Sequence, residues 1–177
     1  MSDLVRNIIR FVMFILVQFY VLNQIPTLHR YIVPVLYYLY ILWLPFNISR
    51  AGSMILAFIF GLTLDYFMTS PGLHAAACVL VAFMRPYVIS ILVPKDNGEF
   101  NYREASPHSM GWTPYLVYAL ILSLFHHTYF LLLQLLRFGN VMDFLIKIVS
   151  TTAISMLLII TTELLFPRRL KYRTNTA

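Results

Sequence analysis

The sequence predicts an all-α integral membrane protein, a bundle of six transmembrane helices with its N-terminus and C-terminus in the cytoplasm. Three observations carry that expectation. Hydrophobic residues make up 60% of the chain and charged residues 11%, whereas a soluble domain carries about a quarter charged residues and under half apolar. The apolar residues gather into runs near the roughly 20 residues that cross hydrocarbon as a helix with its backbone hydrogen bonds closed internally. Lysine and arginine fall mostly on one side of those runs, as they do on cytoplasmic loops.

The runs place helices at about 4–22, 31–46, 51–68, 74–93, 114–136 and 144–166, leaving a single transmembrane domain over 1–177. The first follows Arg6 and Arg10 and resembles a signal peptide. Asn23, Gln24, Ile25 and Pro26 after it offer no small-x-small cleavage site, so it is expected to stay as a helix. The second is short, about 24 Å at 1.5 Å per residue, and contains Pro34. The third and fourth are joined by the turn Thr69, Ser70, Pro71, Gly72, Leu73. Between the fourth and fifth lies a cytoplasmic loop, 95–113, and after the sixth a basic cytoplasmic tail, 167–177.

Orientation follows from the basic residues. Arg6, Arg10, Arg50, Lys95, Arg103, Arg168, Arg169, Lys171 and Arg173 fall on one side, against Arg30, Arg137 and Lys147 on the other. This balance needs the second run to cross. Tyr37, Tyr38, Tyr40 and Trp43 in that run, with Trp112 and Tyr115 at the start of the fifth, suit either the headgroup level or packing against neighbouring helices.

Scattered between apolar spans, the thirteen basic residues make no continuous surface for tracking phosphates, so the net charge of +6 does not point to nucleic acid. The single cysteine, Cys78, excludes a disulfide framework or a thiolate metal cluster. There is no glycine-rich phosphate loop, no H-E-x-x-H and no nucleophile elbow. The expectation is therefore a non-enzymatic protein with no catalytic set, no metal and no cofactor.

Ionisable residues inside a span mark function by default, because each costs about 2.5–3.5 kcal/mol at a helix centre on insertion scales. Asp65 lies about 21 Å from the cytoplasmic end of the third helix and Arg85 about 12 Å from that of the fourth, at 1.5 Å per residue. Side chains lean toward a helix N-terminus, so the two converge, and an Asp65–Arg85 ion pair is one expectation; the other is that Asp65 caps the outer end of its helix region while Arg85 snorkels to the inner headgroups along its aliphatic stem. His74 stands at the outer start of the fourth helix, where it meets Asp65 or water, and Ala75, Ala76, Ala77 and Ala82 after it allow close helix approach. His126 and His127 sit near mid-depth in the fifth helix. Adjacent residues diverge by about 100°, which favours polar contacts between helices over a shared metal.

The run Gly61-Leu62-Thr63-Leu64-Asp65-Tyr66-Phe67, followed by Ser70-Pro71-Gly72-Leu73-His74-Ala75, resembles the hallmark of the MreD family of bacterial rod-shape-determining membrane proteins. There a glycine and an aspartate close one helix, and a proline and glycine turn opens an alanine-rich one. Many members have proline, leucine, glycine in the turn where this chain has Pro71-Gly72-Leu73. The specific motif covers Gly61 to Arg85. The resemblance implies a fold similar to the substrate-binding subunits of energy-coupling-factor transporters. It also implies a place in the bacterial inner membrane, in the cell-elongation machinery that regulates or scaffolds peptidoglycan synthesis. The implied partner is MreC and, through it, MreB, RodA and a class B penicillin-binding transpeptidase. Asp65, Pro71, Gly72, His74, Arg85, His126 and His127 are then a polar network or a partner-facing hairpin. The alternative is a small-molecule-binding subunit of a membrane transporter, with those polar groups lining its cavity.

Overall fold

The computed structural model describes residues 3–25, 33–92, 104–134 and 141–168. The 95–103 part of the expected loop, the start of the second run at Tyr31 and the tail from Arg169 onward lie outside the described residues. The described chain is helical: α1 (Asp3–Leu16), α2 (Leu39–Leu42), α3 (Arg50–Met68), α4 (Leu73–Leu92), α5 (Pro107–Met110), α6 (Trp112–Gln134) and α7 (Val141–Leu165). Five helical stretches are long and apolar enough to cross a membrane: Val5–Gln24, α3, α4, α6 and α7. The protein is a multi-pass membrane protein.

Each long helix has a local reason to start or stop. The Ser49 hydroxyl caps α3 by accepting from Gly52 N at 3.1 Å. Thr69 ends α3 with φ 52°, in the left-handed region, and Gly72 with φ +78° turns the chain into α4. Pro86 lies inside α4, which nonetheless runs unbroken from Leu73 to Leu92. Ser106 caps the short α5, with Pro107 in its first turn.

The expected second helix is corrected. Of the described residues 33–46, only Leu39–Leu42 is helical, and 33–36 has no regular structure. Pro34 and Pro45 set the limits: a helix over the residues between them would cover only about 15 Å, half a hydrocarbon layer. Extended residues gain up to about 3.5 Å each and lengthen the reach. The stretch is also the most enclosed part of the molecule, with no residue from Val35 to Leu44 more than 8% exposed.

The tyrosines in it belong to the core. Tyr37, Tyr38, Tyr40 and Trp43 are buried, as is Tyr115, so the headgroup-level reading fails for them, while Trp112 remains 44% exposed. Tyr40 stacks on Phe60 with ring centroids 4.6 Å apart, and Phe14 meets Trp43 edge-on at 5.3 Å.

The two ends of the buried stretch make contacts at different depths of the first span. Gln18, about 18 Å along the first span from Arg6, bonds to the backbone of Pro34, Leu36 and Tyr37. Pro45 forms an isolated antiparallel bridge with Glu104, the carboxylate that Arg6 and Arg10 hold.

Candidate functional site

The α3–α4 hairpin is built around one carboxylate. The first turn of any helix leaves backbone N–H groups without intrahelical acceptors. In α4 two of them are taken from the neighbouring helix: Asp65 Oδ1 accepts from His74 N at 3.0 Å and Oδ2 from Ala75 N at 2.9 Å. Asp65 Oδ1 also meets His74 Nδ1 at 2.8 Å and accepts from the Ser70 hydroxyl at 2.9 Å. The reach is short because α3 and α4 touch backbone to backbone. A Cβ on Gly61 would overlap Ala75 Cα and N and His74 O. Pro71 and Gly72 form the exposed tip of the turn.

The expected Asp65–Arg85 pair does not form. Asp65 is committed to the start of α4, whereas the Arg85 guanidinium donates to the Leu44 carbonyl and, through Nε, to the Tyr118 hydroxyl at 3.0 Å, with Phe46 beneath it at 5.5 Å. Tyr118 in turn donates to the Leu42 carbonyl at 3.1 Å. Depth alone suggested the pair. Backbone groups at α4 and α2 claimed both partners first.

His126 and His127 lie deeper. Tyr37 OH is 2.8 Å from His126 Nε2, and the His126 ring stacks on Tyr38 at 4.5 Å. Tyr38 OH meets Ser123 Oγ at 2.7 Å. His127, edge-on to Tyr38, turns to α7, where Thr152 and Ser155 hydroxyls lie 3.3 Å from its two nitrogens. The rings therefore face different neighbours. Tyr37 also packs edge-on against His74 at 5.3 Å, so Asp65, His74, Tyr37, His126 and His127 make one continuous buried column. Among the described residues no group of three or more His, Cys, Asp or Glu side chains is placed to hold a metal ion.

Two polar residues that the sequence reading did not single out, Gln18 and Glu104, complete the picture together with Glu163. Gln18 sits in the π-helical turn Val17–Val21 and is 2% exposed. It donates to the Pro34 carbonyl at 3.1 Å and accepts from Leu36 N at 2.9 Å and Tyr37 N at 3.3 Å. Its signal was an amide inside an apolar run. Glu104 receives Arg6, Arg10 and Arg168, joining the first span, the segment before α5 and the end of α7. Nothing local in the sequence marks it. Glu163, near the end of α7, is 4% exposed; Trp43 Nε1 donates to it at 2.8 Å, and Tyr115 OH and Arg168 donate as well. The Trp43 indole lies between the guanidiniums of Arg10, at 5.2 Å, and Arg168, at 4.2 Å.

Part of this polar apparatus serves backbone groups that have no partner within their own segment. Non-helical chain is tolerated at membrane depth only where protein encloses it and supplies its hydrogen bonds. Gln18, Arg85 and Tyr118 do that for 33–44, and Asp65 does it for the start of α4. Comparison with protein-family models, curated proteins and solved structures finds no match to this chain.

Proposed function

We propose that the chain is a non-enzymatic, MreD-like component of the bacterial cell-elongation machinery in the inner membrane. In this reading it scaffolds or regulates peptidoglycan synthesis through MreC and, through MreC, acts with MreB, RodA and a class B penicillin-binding transpeptidase. One observation carries the reading: the residues of the resemblance form a single mechanical unit. Gly61 brings α4 against α3, Asp65 seals the first turn of α4, Gly72 makes the turn, and His74 closes on Asp65. A rigid hairpin of this kind suits a protein that presents a fixed surface to partners.

The same reading assigns the topology. The buried stretch 33–44 is the sixth crossing, returning the chain from the level of Gln18 to that of Glu104. The end that carries Arg6, Arg10 and Arg168 is cytoplasmic, by the bias of basic residues. Crosslinking in native membranes tests the partner assignment. Recovery of MreC with elongation enzymes supports it, and recovery of transporter ATPases in their place overturns it.

A second reading, a small-molecule-binding transporter subunit, is favoured by one atom. His126 Nδ1 is buried without a hydrogen-bond partner among the described residues, in a residue with 0% exposure, and such atoms are uncommon in a settled interior. A small polar solute that raises the melting temperature of the wild-type chain, but not of His126→Phe, would establish that reading.

A further inference from the structure

An apolar groove of about 490 Å³ runs along the bilayer-facing side of α3 and α4, lined by Met54, Phe58, Leu62, Ala76, Val79 and Phe83 among others. That volume falls within the roughly 300–1,000 Å³ of sites that hold a single small ligand. The groove extends from Met54, one turn inside the start of α3, to Gly72 at the opposite end of the hairpin. It is therefore long, parallel to the helices and open to acyl chains.

The end of the groove at the start of α3 carries a cation. Arg50 opens α3, and its guanidinium lies over the Tyr87 ring at 5.1 Å. Tyr87 in turn packs on Phe83 at 5.5 Å, a wall of the groove. Arg6, Arg10 and Arg168 are taken up by Glu104 and Glu163, but Arg50 has no carboxylate partner among the described residues. The amino end of α3 adds its own partial positive charge beside it. An apolar trough that ends at the headgroup level in an exposed arginine, an aromatic ring and a helix N-terminus is complementary to one molecule class: an anionic phospholipid lying along the trough with its phosphate at Arg50.

We propose that this groove binds a single anionic phospholipid from the surrounding bilayer, one acyl chain between α3 and α4 and the phosphate on Arg50. The assignment requires only that the chain lie in a membrane, so it stands or falls separately from the elongation reading.

Native mass spectrometry of the full chain, delipidated and then offered phosphatidylglycerol or phosphatidylcholine with identical acyl chains, tests it. The expected result is one retained phosphatidylglycerol, held more tightly than phosphatidylcholine. Arg50→Gln should weaken phosphatidylglycerol by about fivefold, the equivalent of ~1 kcal/mol for one basic group at an anionic surface, and leave phosphatidylcholine unchanged. Arg50→Lys should recover most of the loss. Ala76→Phe, which fills the trough from a partly exposed position, should reduce both lipids. Equal retention of the two lipids by the wild-type chain, or an Arg50→Gln chain that still discriminates between them, overturns the proposal. So does an Ala76→Phe chain that melts like wild type yet retains phosphatidylglycerol undiminished, since the lipid would then be bound somewhere other than the groove.

Discussion

Asp65 does for α4 what an N-cap side chain does for a soluble helix, but it does so from another helix. Asp65→Ala removes the acceptor for two backbone N–H groups, and buried unsatisfied donors cost about 1–3 kcal/mol each. The expected outcome is a clear drop in melting temperature in detergent, with Asp65→Asn in between because one carboxamide oxygen still accepts. Gly61 is limited by space instead. Gly61→Ala must push α3 and α4 apart at Ala75, and overpacking of this kind costs about 1–3 kcal/mol. The same melting measurement checks it. The positions of Asp65, His74, Arg85, His126 and His127 were legible, because a polar residue in an apolar run is conspicuous. Their partners were not. Side-chain depth was the only guide to pairing, and it takes no account of a neighbouring backbone that lacks acceptors.

Among the elements, the stretch from Val33 to Leu44 depends most on its neighbours. Gln18 provides three hydrogen bonds to it, so Gln18→Leu leaves two amides and a carbonyl unpaired within the bundle. Each unsatisfied group in that setting costs several kcal/mol, and the variant is expected to accumulate poorly in membranes and to be degraded, as an immunoblot of membrane fractions would show. Gln18→Glu keeps the acceptors for Leu36 and Tyr37 and should accumulate better than the leucine variant. The long helices were legible to within a few residues, because a span needs a fixed length of apolar chain and little else. The buried stretch has the same composition, but its form is decided by Pro34 and Pro45 and by amide, guanidinium and phenol groups elsewhere in the chain.

At the scale of the whole molecule, the contacts of Gln18 and Glu104 make a statement about topology. Cys78 is the single cysteine and is buried, so a Cys78→Ala background accepts reporter cysteines. A reporter at Gln24, the last residue of the first span, and another at Asn47, after the buried stretch, are expected to react with a membrane-impermeant thiol reagent from opposite sides of the bilayer. Labelling from the same side would remove the sixth crossing. Glu104 ties the two ends of the described chain to the segment before α5, through Arg6, Arg10 and Arg168. Glu104→Gln should loosen that end, which a change in Trp43 emission would report, since the indole lies between Arg10 and Arg168. The order of synthesis gives the buried stretch a further property. Its carbonyls at Leu42 and Leu44 are satisfied by Tyr118 and Arg85, residues that leave the ribosome only after it has been made. On the proposal that the stretch is the sixth crossing, its hydrogen bonds cannot be completed until α4 and α6 have been made, and a nascent chain released at Met68 is expected to leave both carbonyls without them.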